Sequence, residues 1–279
     1  MRFTKMQGCG NDYIYVDCFT ENLSNKNLSD LAKKVSSRHF GIGSDGLILI
    51  ERPKNKNADA YMHMFNADGS EGKMCGNGIR CVAKYIYDKG IIPSSRKNTV
   101  IETPAGLREI ELHISNGKVD SATVSMGIAK ITSEIPEKIS VNKMNLEFLG
   151  IDMGNPHAVY FLEDNRILGD LKNLNLEKIG TYFENHERFP ERVNSEFIEK
   201  ISDSEMNFRV WERGSGETLA CGTGATAAVF AGVISGKCKR NENITVHLLG
   251  GDLKIKILDN NECLMTGEAI EVFNGEIDA

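Results

Sequence analysis

The sequence predicts a mixed α/β (α+β) protein made of two pseudo-symmetric domains that arose by internal duplication. The chain has 279 residues, a length that suits two domains better than one at roughly 100–200 residues per domain. When the sequence is shifted along itself, residues 61–112 align in register with residues 207–258, and Cys75 falls on Cys221. A repeat with such a long period predicts two copies of one fold.

Each copy predicts a helix directly after a Cys-Gly-x-Gly motif. Between residues 79 and 87, apolar side chains recur with the i, i+3, i+4, i+7, i+8 spacing of a half-buried helix. Residues 225–233 carry small or apolar side chains at the same five places. Gly90 and Gly236 follow the two segments at positions that suit a helix C-terminus.

The remaining elements are predicted from short β-prone runs bounded by turn residues. Helical stretches are expected within 28–35 and 165–183, and residues 130–145 are interpreted as the crossover between the domains. Each domain is therefore expected to be a curved, mostly antiparallel sheet wrapped on its central helix. Predicted strands are Tyr13–Val16, Leu47–Ile50, Tyr61–Phe65, Val100–Glu102, Val124–Met126, Ala158–Leu162, Phe208–Trp211 and Leu253–Leu258.

The repeat also predicts where the domains divide. The N-terminal domain is expected to cover residues 1–128 and to be completed by residues 268–279, and the C-terminal domain to cover residues 129–267. In this arrangement the active site is expected in the cleft between the two domains.

Composition narrows the possible partners and compartment. A net charge of −6 disfavours nucleic acid and anionic membranes as partners, and so favours a small-molecule substrate. The seven cysteines are odd in number and form no C-x-x-C pair, and the first dozen residues are too polar for a signal peptide. These features predict a cytoplasmic protein with reduced thiols. The uncharged segment 218–236 is interpreted as a buried helix rather than a membrane span.

The duplicated cysteines suggest proton-transfer chemistry. A thiol at a helix N-terminus is favoured as thiolate by the helix dipole, and nearby glycine N–H groups can hold an anion. Two such thiols on opposite sides of one carbon could remove a proton from one face and deliver one to the other. Because no pyridoxal phosphate lysine motif or nucleotide loop is evident, no cofactor is expected, and hydrogen bonds would stabilise the carbanion.

Other interpretations of the cysteines remain open. A buried cysteine is usually a small apolar side chain, which is the interpretation for Cys18, Cys81, Cys238 and Cys263. A zinc site needs clustered ligands, and the spacing of Cys75 to Cys81 fits one poorly, so no metal is expected. A redox pair formed by Cys75 and Cys221 is the alternative from a different functional class.

The cysteine motifs resemble those of the diaminopimelate epimerase family, and the similarity extends from residue 3 to about residue 267. The motifs that carry it are Phe3-Thr4-Lys5-Met6, Gly10-Asn11-Asp12-Tyr13, Gly41-Ile42-Gly43, Phe65-Asn66-Ala67-Asp68-Gly69-Ser70, Met74-Cys75-Gly76-Asn77-Gly78, Gly154-Asn155-Pro156-His157-Ala158-Val159, Trp211-Glu212-Arg213-Gly214 and Ala220-Cys221-Gly222-Thr223-Gly224.

The resemblance implies a cofactor-independent isomerase that interconverts LL- and meso-2,6-diaminopimelate in lysine and peptidoglycan precursor biosynthesis. It implies that Cys75 and Cys221 are the paired acid and base, and that His157 and Glu212 assist them. It also makes a homodimer plausible. Implied substrate-binding residues are Asn11, Asn66, Asn155, Asn194 and Arg213 at the distal end of the substrate, and Gly76, Asn77, Gly222 and Thr223 at the reacting carboxylate.

Some positions depart from the family pattern or bear on the choice of substrate. Cys9 stands where leucine is more usual, and Gly46 stands where some members place a glutamine near the substrate. A proline or hydroxyproline racemase is the alternative within the same class, but that group has histidine where this chain has Asn77.

Overall fold

The computed structural model describes residues 1–278 and separates into two compact units. The first comprises Met1–Ser125 and Thr266–Ala279, whose last residue, 279, lies outside the described residues, and the second comprises Met126–Met265. The chain passes between units inside two strands, at 125/126 and at 265/266. The assignment of residues 1–128 with 268–279, and of residues 129–267, to two homologous domains stays a prediction. Among the described residues, no helix is long and apolar enough to cross a membrane.

The first unit is a sheet with two helices. Its central order is β19-β1-β2-β3-β4-β6-β7-β8, in which β2–β3 and β4–β6 are parallel and the other pairs antiparallel. The elements are β1 Arg2–Gly8, β2 Asn11–Asp17, α1 Leu28–Ser36, β3 Gly46–Glu51, β4 Ala60–Asn66, β5 Glu71–Gly72, α2 Gly76–Asp88, β6 Asn98–Thr103, β7 Gly106–Ser115, β8 Lys118–Ile128 and β19 Ile270–Glu276.

The second unit repeats this plan. Its order is β10-β11-β12-β13-β14-β16-β17, and β12–β13 and β14–β16 are its parallel pairs. The elements are β9 Lys130–Ile131, β10 Glu137–Val141, β11 Met144–Asp152, β12 Pro156–Phe161, 3₁₀ turns at Arg166–Leu168 and Leu171–Asn173, α3 Leu176–Glu184, β13 Asn194–Lys200, β14 Glu205–Glu212, β15 Gly216–Glu217, α4 Gly222–Ile234, β16 Ile244–Leu248, β17 Gly251–Ile257 and β18 Glu262–Glu268.

The predicted fold class is confirmed. Both units are sheet-dominated, and their parallel pairs fall at the same places in the strand order, as a duplication predicts. The helix α2 packs on β1 and β2, and α4 packs on β11, β12, β13 and β17. Each unit thus wraps its sheet around the helix that follows its Cys-Gly-x-Gly motif.

The two central helices form for partly different reasons. In α2 the buried apolar residues share the helix with polar ones, and the charged Arg80 and Lys84 are also buried. In α4 small and apolar side chains occur all round, and nine consecutive residues from Gly224 to Gly232 are buried. Both helices end as Gly90 and Gly236 adopt φ of 73° and 74°, a left-handed conformation that glycine tolerates without strain.

The interpretation of residues 130–145 as a crossover is wrong. Within this stretch β10 forms an antiparallel hairpin with β11 in the second unit. The strand forms because buried and exposed side chains alternate over a few residues. Ile139 and Val141 are buried, whereas Lys138 and Ser140 are exposed. Surrounding polar residues obscured this two-residue pattern in the sequence.

The core of the second unit closes around a helix glycine. A Cβ placed on Gly180, in α3, would come within 2.1 Å of Cδ2 of the buried Trp211 ring. The Trp211 ring is held in this position by a hydrogen bond, which its Nε1 donates to Glu184 at 2.8 Å. Helix and sheet therefore approach here at a distance that only glycine permits.

We expect Gly180→Ala to lower the free energy of unfolding by about 1–3 kcal/mol, the usual cost of overpacking a core. Urea denaturation measures the change. Thr181→Ala is the matched control, because Thr181 is exposed on the same helix and should change stability by less than about 0.5 kcal/mol. Equal stability of the two variants would contradict the close approach.

Candidate active site on two cysteine-capped helices

A cysteine caps the N-terminus of the central helix in each unit. Cys75 precedes α2 with extended backbone (φ −134°, ψ 119°), and its Sγ accepts a hydrogen bond from Gly78 N–H at 3.4 Å. Cys221 precedes α4 in the same conformation (φ −127°, ψ 106°), with Gly224 N–H donating to Sγ at 3.3 Å. Both thiols therefore lie at the positive end of a helix dipole.

In the first unit, a polar network surrounds Cys75. Its thiol donates to Asn11 Oδ1 at 3.2 Å, and Asn11 Nδ2 donates to Asp45 Oδ2 at 2.8 Å. Arg38 Nη2 donates to Asp45 Oδ1 at 2.9 Å and to Asp12 Oδ1 at 3.1 Å. Asp45 thus fixes the amide of Asn11 so that its oxygen faces the thiol.

The pKa of the Cys75 thiol reflects opposing influences. Burial raises this pKa, whereas four donors or charges lower it: the N–H groups of Gly78 and Asn77, the Tyr13 hydroxyl and the Arg80 guanidinium. Arg80 is fully buried, and its Nη1 donates to Gly76 O at 3.2 Å. Every one of these four neighbours stabilises a thiolate.

We expect Tyr13→Phe to raise the pKa of Cys75 further, because the thiolate loses a hydrogen-bond donor. At about 1 kcal/mol per hydrogen bond, the shift is about half to one pH unit, and thiolate is lost at higher pH than in the wild type. The pH dependence of Cys75 alkylation, followed by mass spectrometry, measures it. Tyr87→Phe is the control, because the Tyr87 hydroxyl donates to Ser94 O instead. Superimposed profiles for all three proteins would refute the assignment.

In the second unit, carboxylates surround the cysteine. Burial raises the pKa of Cys221 well above its ordinary value, and the charges of Glu212 and Glu196 raise it further. The Thr223 hydroxyl, at 3.5 Å from Sγ, and Gly224 N–H act in the opposite direction. The environment of Cys221 therefore favours the protonated thiol more strongly than that of Cys75 does.

Glu212 ends strand β14 beside Cys221. Burial raises the pKa of Glu212, and hydrogen bonds from the Thr218 hydroxyl and the Cys221 thiol lower it. A carboxyl group whose pKa is raised, in contact with a thiol, is arranged to exchange a proton with that thiol.

His157 lies in β12 with both ring nitrogens engaged. Its Nδ1 is 2.7 Å from Glu196 Oε1, and its Nε2 is 2.9 Å from Asn155 Oδ1. The side chains of His157 and Glu196 have no exposed surface. Asn155 Nδ2 in turn donates to Thr223 Oγ1 at 3.5 Å, so a chain of contacts runs from Glu196 to Thr223. The described contacts of His157 lead to Glu196 and Asn155 rather than directly to a cysteine.

The other predicted residues occupy varied positions. Asn66 donates to Ser70 Oγ at 3.0 Å, and Asn77 is buried at the start of α2. Both ends of the Asn194 amide form hydrogen bonds within the second unit. Its Nδ2 donates to Pro156 O at 2.9 Å, and its Oδ1 accepts from Arg213 N–H at 3.0 Å. The side chain of the exposed Arg213 makes one hydrogen bond within the described part of the chain, to Glu191 O at 3.1 Å.

Backbone groups of the glycines also take part in the local structure. Gly222 O accepts the Thr226 hydroxyl at 2.8 Å in α4. Cys9, the departure from the family pattern, adopts φ 54° in the turn after β1 and is buried 4.0 Å from Arg80 Nη2. The sequence prediction missed Tyr13, Asp45 and Glu196. Glu196 could have been noticed because it is a glutamate within a strand, β13, whose first five residues are buried.

The fold is shared with solved structures that include a racemase and an epimerase. A probable proline racemase from Agrobacterium radiobacter K84 matches 99% of this chain over 92% of its own, with a TM-score of 0.72 and 13% identity. A hydroxyproline epimerase from Agrobacterium vitis matches 99% of this chain over 91% of its own, with a TM-score of 0.71 and 16% identity. At these identities the likeness concerns the fold alone.

Sequence similarity is more specific. The family model described as diaminopimelate epimerase matches residues 3–132 and 149–272. A diaminopimelate epimerase from Acetivibrio thermocellus is 48% identical, covering 100% of this chain and 99% of the relative. The chain therefore belongs to the diaminopimelate epimerase family and is an enzyme of the isomerase class, which confirms the resemblance inferred from its motifs.

Proposed function

We propose that the protein interconverts LL- and meso-2,6-diaminopimelate without a cofactor, using Cys75 and Cys221 as the two proton-transfer groups. The observation that carries this proposal is the duplicated cap, a thiol at the N-terminus of the central helix in both units. Family membership supplies the substrate, and the two thiols supply a proton acceptor and a proton donor.

The different surroundings of the two thiols indicate their roles in the LL-to-meso direction. Burial raises the pKa of both thiols, but the hydrogen-bond donors and Arg80 around Cys75 offset this and stabilise its thiolate, whereas Glu212 and Glu196 raise the pKa of Cys221 further and favour its thiol. The Cys75 thiolate takes the α-proton, so the C–H bond breaks and an S–H bond forms. The electron pair passes into the α-carboxylate, and the Cys221 thiol delivers a proton to the opposite face. In the reverse direction the roles exchange.

Helix N-termini stabilise the charge that develops during this step. When the α-carbon loses its proton, its carboxylate gains electron density and needs hydrogen-bond donors. The N–H groups of the first helical turns, at Gly76 and Asn77 and at Gly222 and Thr223, have no carbonyl partner within their own helix and are suited to hold it. Glu212 accepts the Cys221 proton when Cys221 must act as base.

The distal end of the substrate is a zwitterion and needs both donors and acceptors. We assign it to Asn11, Asn66, Asn155, Asn194 and Arg213, as the family resemblance implies. Asparagine offers both kinds of group, and Arg213 can bind a carboxylate with two parallel hydrogen bonds. The guanidinium is exposed and, among residues 1–278, donates one hydrogen bond, to a backbone carbonyl, which supports this role. For Asn194, the internal hydrogen bonds support an indirect one, through the backbone of Arg213.

We place this reaction in lysine and peptidoglycan precursor biosynthesis, in the cytoplasm, and we propose a homodimer. We infer the cytoplasm because the mechanism needs reduced thiols, and that compartment keeps thiols reduced. Light scattering of the purified protein tests the dimer.

Conversion of LL-diaminopimelate tests the function directly. We expect the purified, reduced protein to produce the meso isomer without added cofactor, as resolved by chiral chromatography. Proline, hydroxyproline and other amino acids under the same conditions should remain unchanged. Turnover of proline instead would favour the proline-type racemase. No turnover of any amino acid, together with reversible thiol oxidation, would favour a redox protein.

A further inference from the structure

We propose that Glu196 is a positioning residue, which holds His157 so that the Asn155 amide group is directed toward the end of α4 that carries Cys221. This inference rests on the proposed function, and it deepens the account of how that site binds substrate. It concerns residues of the second unit only, and it assigns a role to a glutamate that the family motifs above do not include.

The first step is the contact between Glu196 and His157. Glu196 Oε1 lies 2.7 Å from His157 Nδ1, and neither side chain is exposed. A hydrogen bond of this length between a carboxyl and an imidazole group holds the ring in one orientation. The backbone supports it, because β12 and β13 are parallel neighbours and His157 is paired with Asn194, two residues before Glu196.

The second step concerns the other ring nitrogen. Asn155 presents its oxygen, an acceptor, to His157 Nε2 at 2.9 Å, so Nε2 must carry a proton. This holds whether the proton between Glu196 and Nδ1 is on the carboxyl group or on the ring. Without Glu196, the proton could move to Nδ1, and the amide of Asn155 could then turn over to donate to a bare Nε2.

The third step leads from Asn155 to the site. With its oxygen held by His157, the Asn155 NH₂ group faces Thr223 Oγ1 at 3.5 Å, and Thr223 Oγ1 is 3.5 Å from Cys221 Sγ. An amide NH₂ attracts a substrate carboxylate, whereas an amide oxygen in the same place repels it. Glu196 thus determines which of the two the substrate meets.

Packing around Gly224 supports a fixed position for Glu196. A Cβ on this glycine would come within 2.8 Å of Glu196 Oε1 and 3.2 Å of Cys221 Sγ. The helix can approach both groups only because residue 224 has no side chain. The carboxyl group is therefore enclosed between α4 and β12.

Kinetics of single and double variants test the proposal. We expect Glu196→Ala to raise KM for LL-diaminopimelate about 10- to 100-fold, the effect of losing one hydrogen bond to a charged group, with kcat within a few-fold of the wild type. Glu196→Gln retains a hydrogen-bonding group for Nδ1 and should remain close to the wild type. In the Asn155→Ala background, Glu196→Ala should change KM no further.

Glu199→Ala is the matched control, because Glu199 lies on the same strand and contacts Asn207. Full additivity of the Asn155 and Glu196 effects, or an equal defect in Glu196→Gln and Glu196→Ala, would overturn the proposal. Nitrogen-15 NMR of the substrate-free wild type provides a separate measurement, in which His157 Nε2 should be protonated. An unprotonated Nε2 would overturn the proposal even if the enzyme is active. A protonated Nε2 in a protein without epimerase activity would support it while the proposed function fails.

Discussion

Replacing either Cys75 or Cys221 with alanine should lower kcat for diaminopimelate epimerisation by at least about 10²–10⁴-fold, the range for loss of a general acid or base. Inversion needs a proton removed from one face of the carbon and another delivered to the opposite face. With one thiol gone, one of these transfers has no group to perform it. Rates of meso formation from LL-diaminopimelate, measured under reducing conditions, give the result.

Cys238→Ala is the control for these two variants. Cys238 is also buried in the second unit, against Gly232 of α4, but it lies after the end of the helix rather than at its start. We expect its activity to stay within a few-fold of the wild type. Retention of near wild-type activity after loss of Cys75 would refute the two-thiol mechanism, whereas inactivation by Cys238→Ala would implicate a different thiol.

The second large effect is expected for Glu212→Gln, with a decrease in kcat/KM of about 10²–10⁴-fold. Glutamine keeps the size of the side chain and can still bond to Thr218, but it cannot accept the proton of Cys221. Because the equilibrium constant between the isomers is fixed, kcat/KM must decrease by the same factor in both directions. Initial rates from LL- and from meso-diaminopimelate measure both factors.

Glu205→Gln is the matched control for this variant. Glu205 begins the same strand that Glu212 ends, and it is exposed. Its substitution should leave both rates unchanged. Comparable rates in Glu212→Gln and the wild type would show that Cys221 exchanges its proton with another group, and the assignment of Glu212 would then be wrong.

Much of this fold could be predicted from the sequence because the chain contains two copies of the same pattern. The motif at Cys75 and its repeat at Cys221 both predicted a helix N-terminus, and both helices begin at the next residue. Because the two copies align in register, apolar patterns that were weak in one copy alone were supported by the other. Where no repeat existed, as in 130–145, only two buried residues marked the strand, and the interpretation was wrong.

Site contacts were less accessible to sequence reasoning. Glu196 and His157 are far apart in the chain, and only the parallel pairing of β12 with β13 brings them together. Tyr13 follows the Gly-Asn-Asp motif, but its hydroxyl matters only because β2 carries it to the Cys75 thiol. A sequence motif identifies residue types, whereas the orientation of a side chain is set by strand pairing.

The fate of hydrogen during the first turnovers tests the two-thiol account most directly. LL-diaminopimelate is incubated in D₂O with the reduced enzyme, and both isomers are separated and analysed by mass spectrometry at low conversion. We expect the meso product to carry one deuterium while the remaining LL substrate carries none, because separate groups remove and deliver the proton. Deuterium entering the remaining substrate as fast as product forms would indicate a single base and would contradict the account.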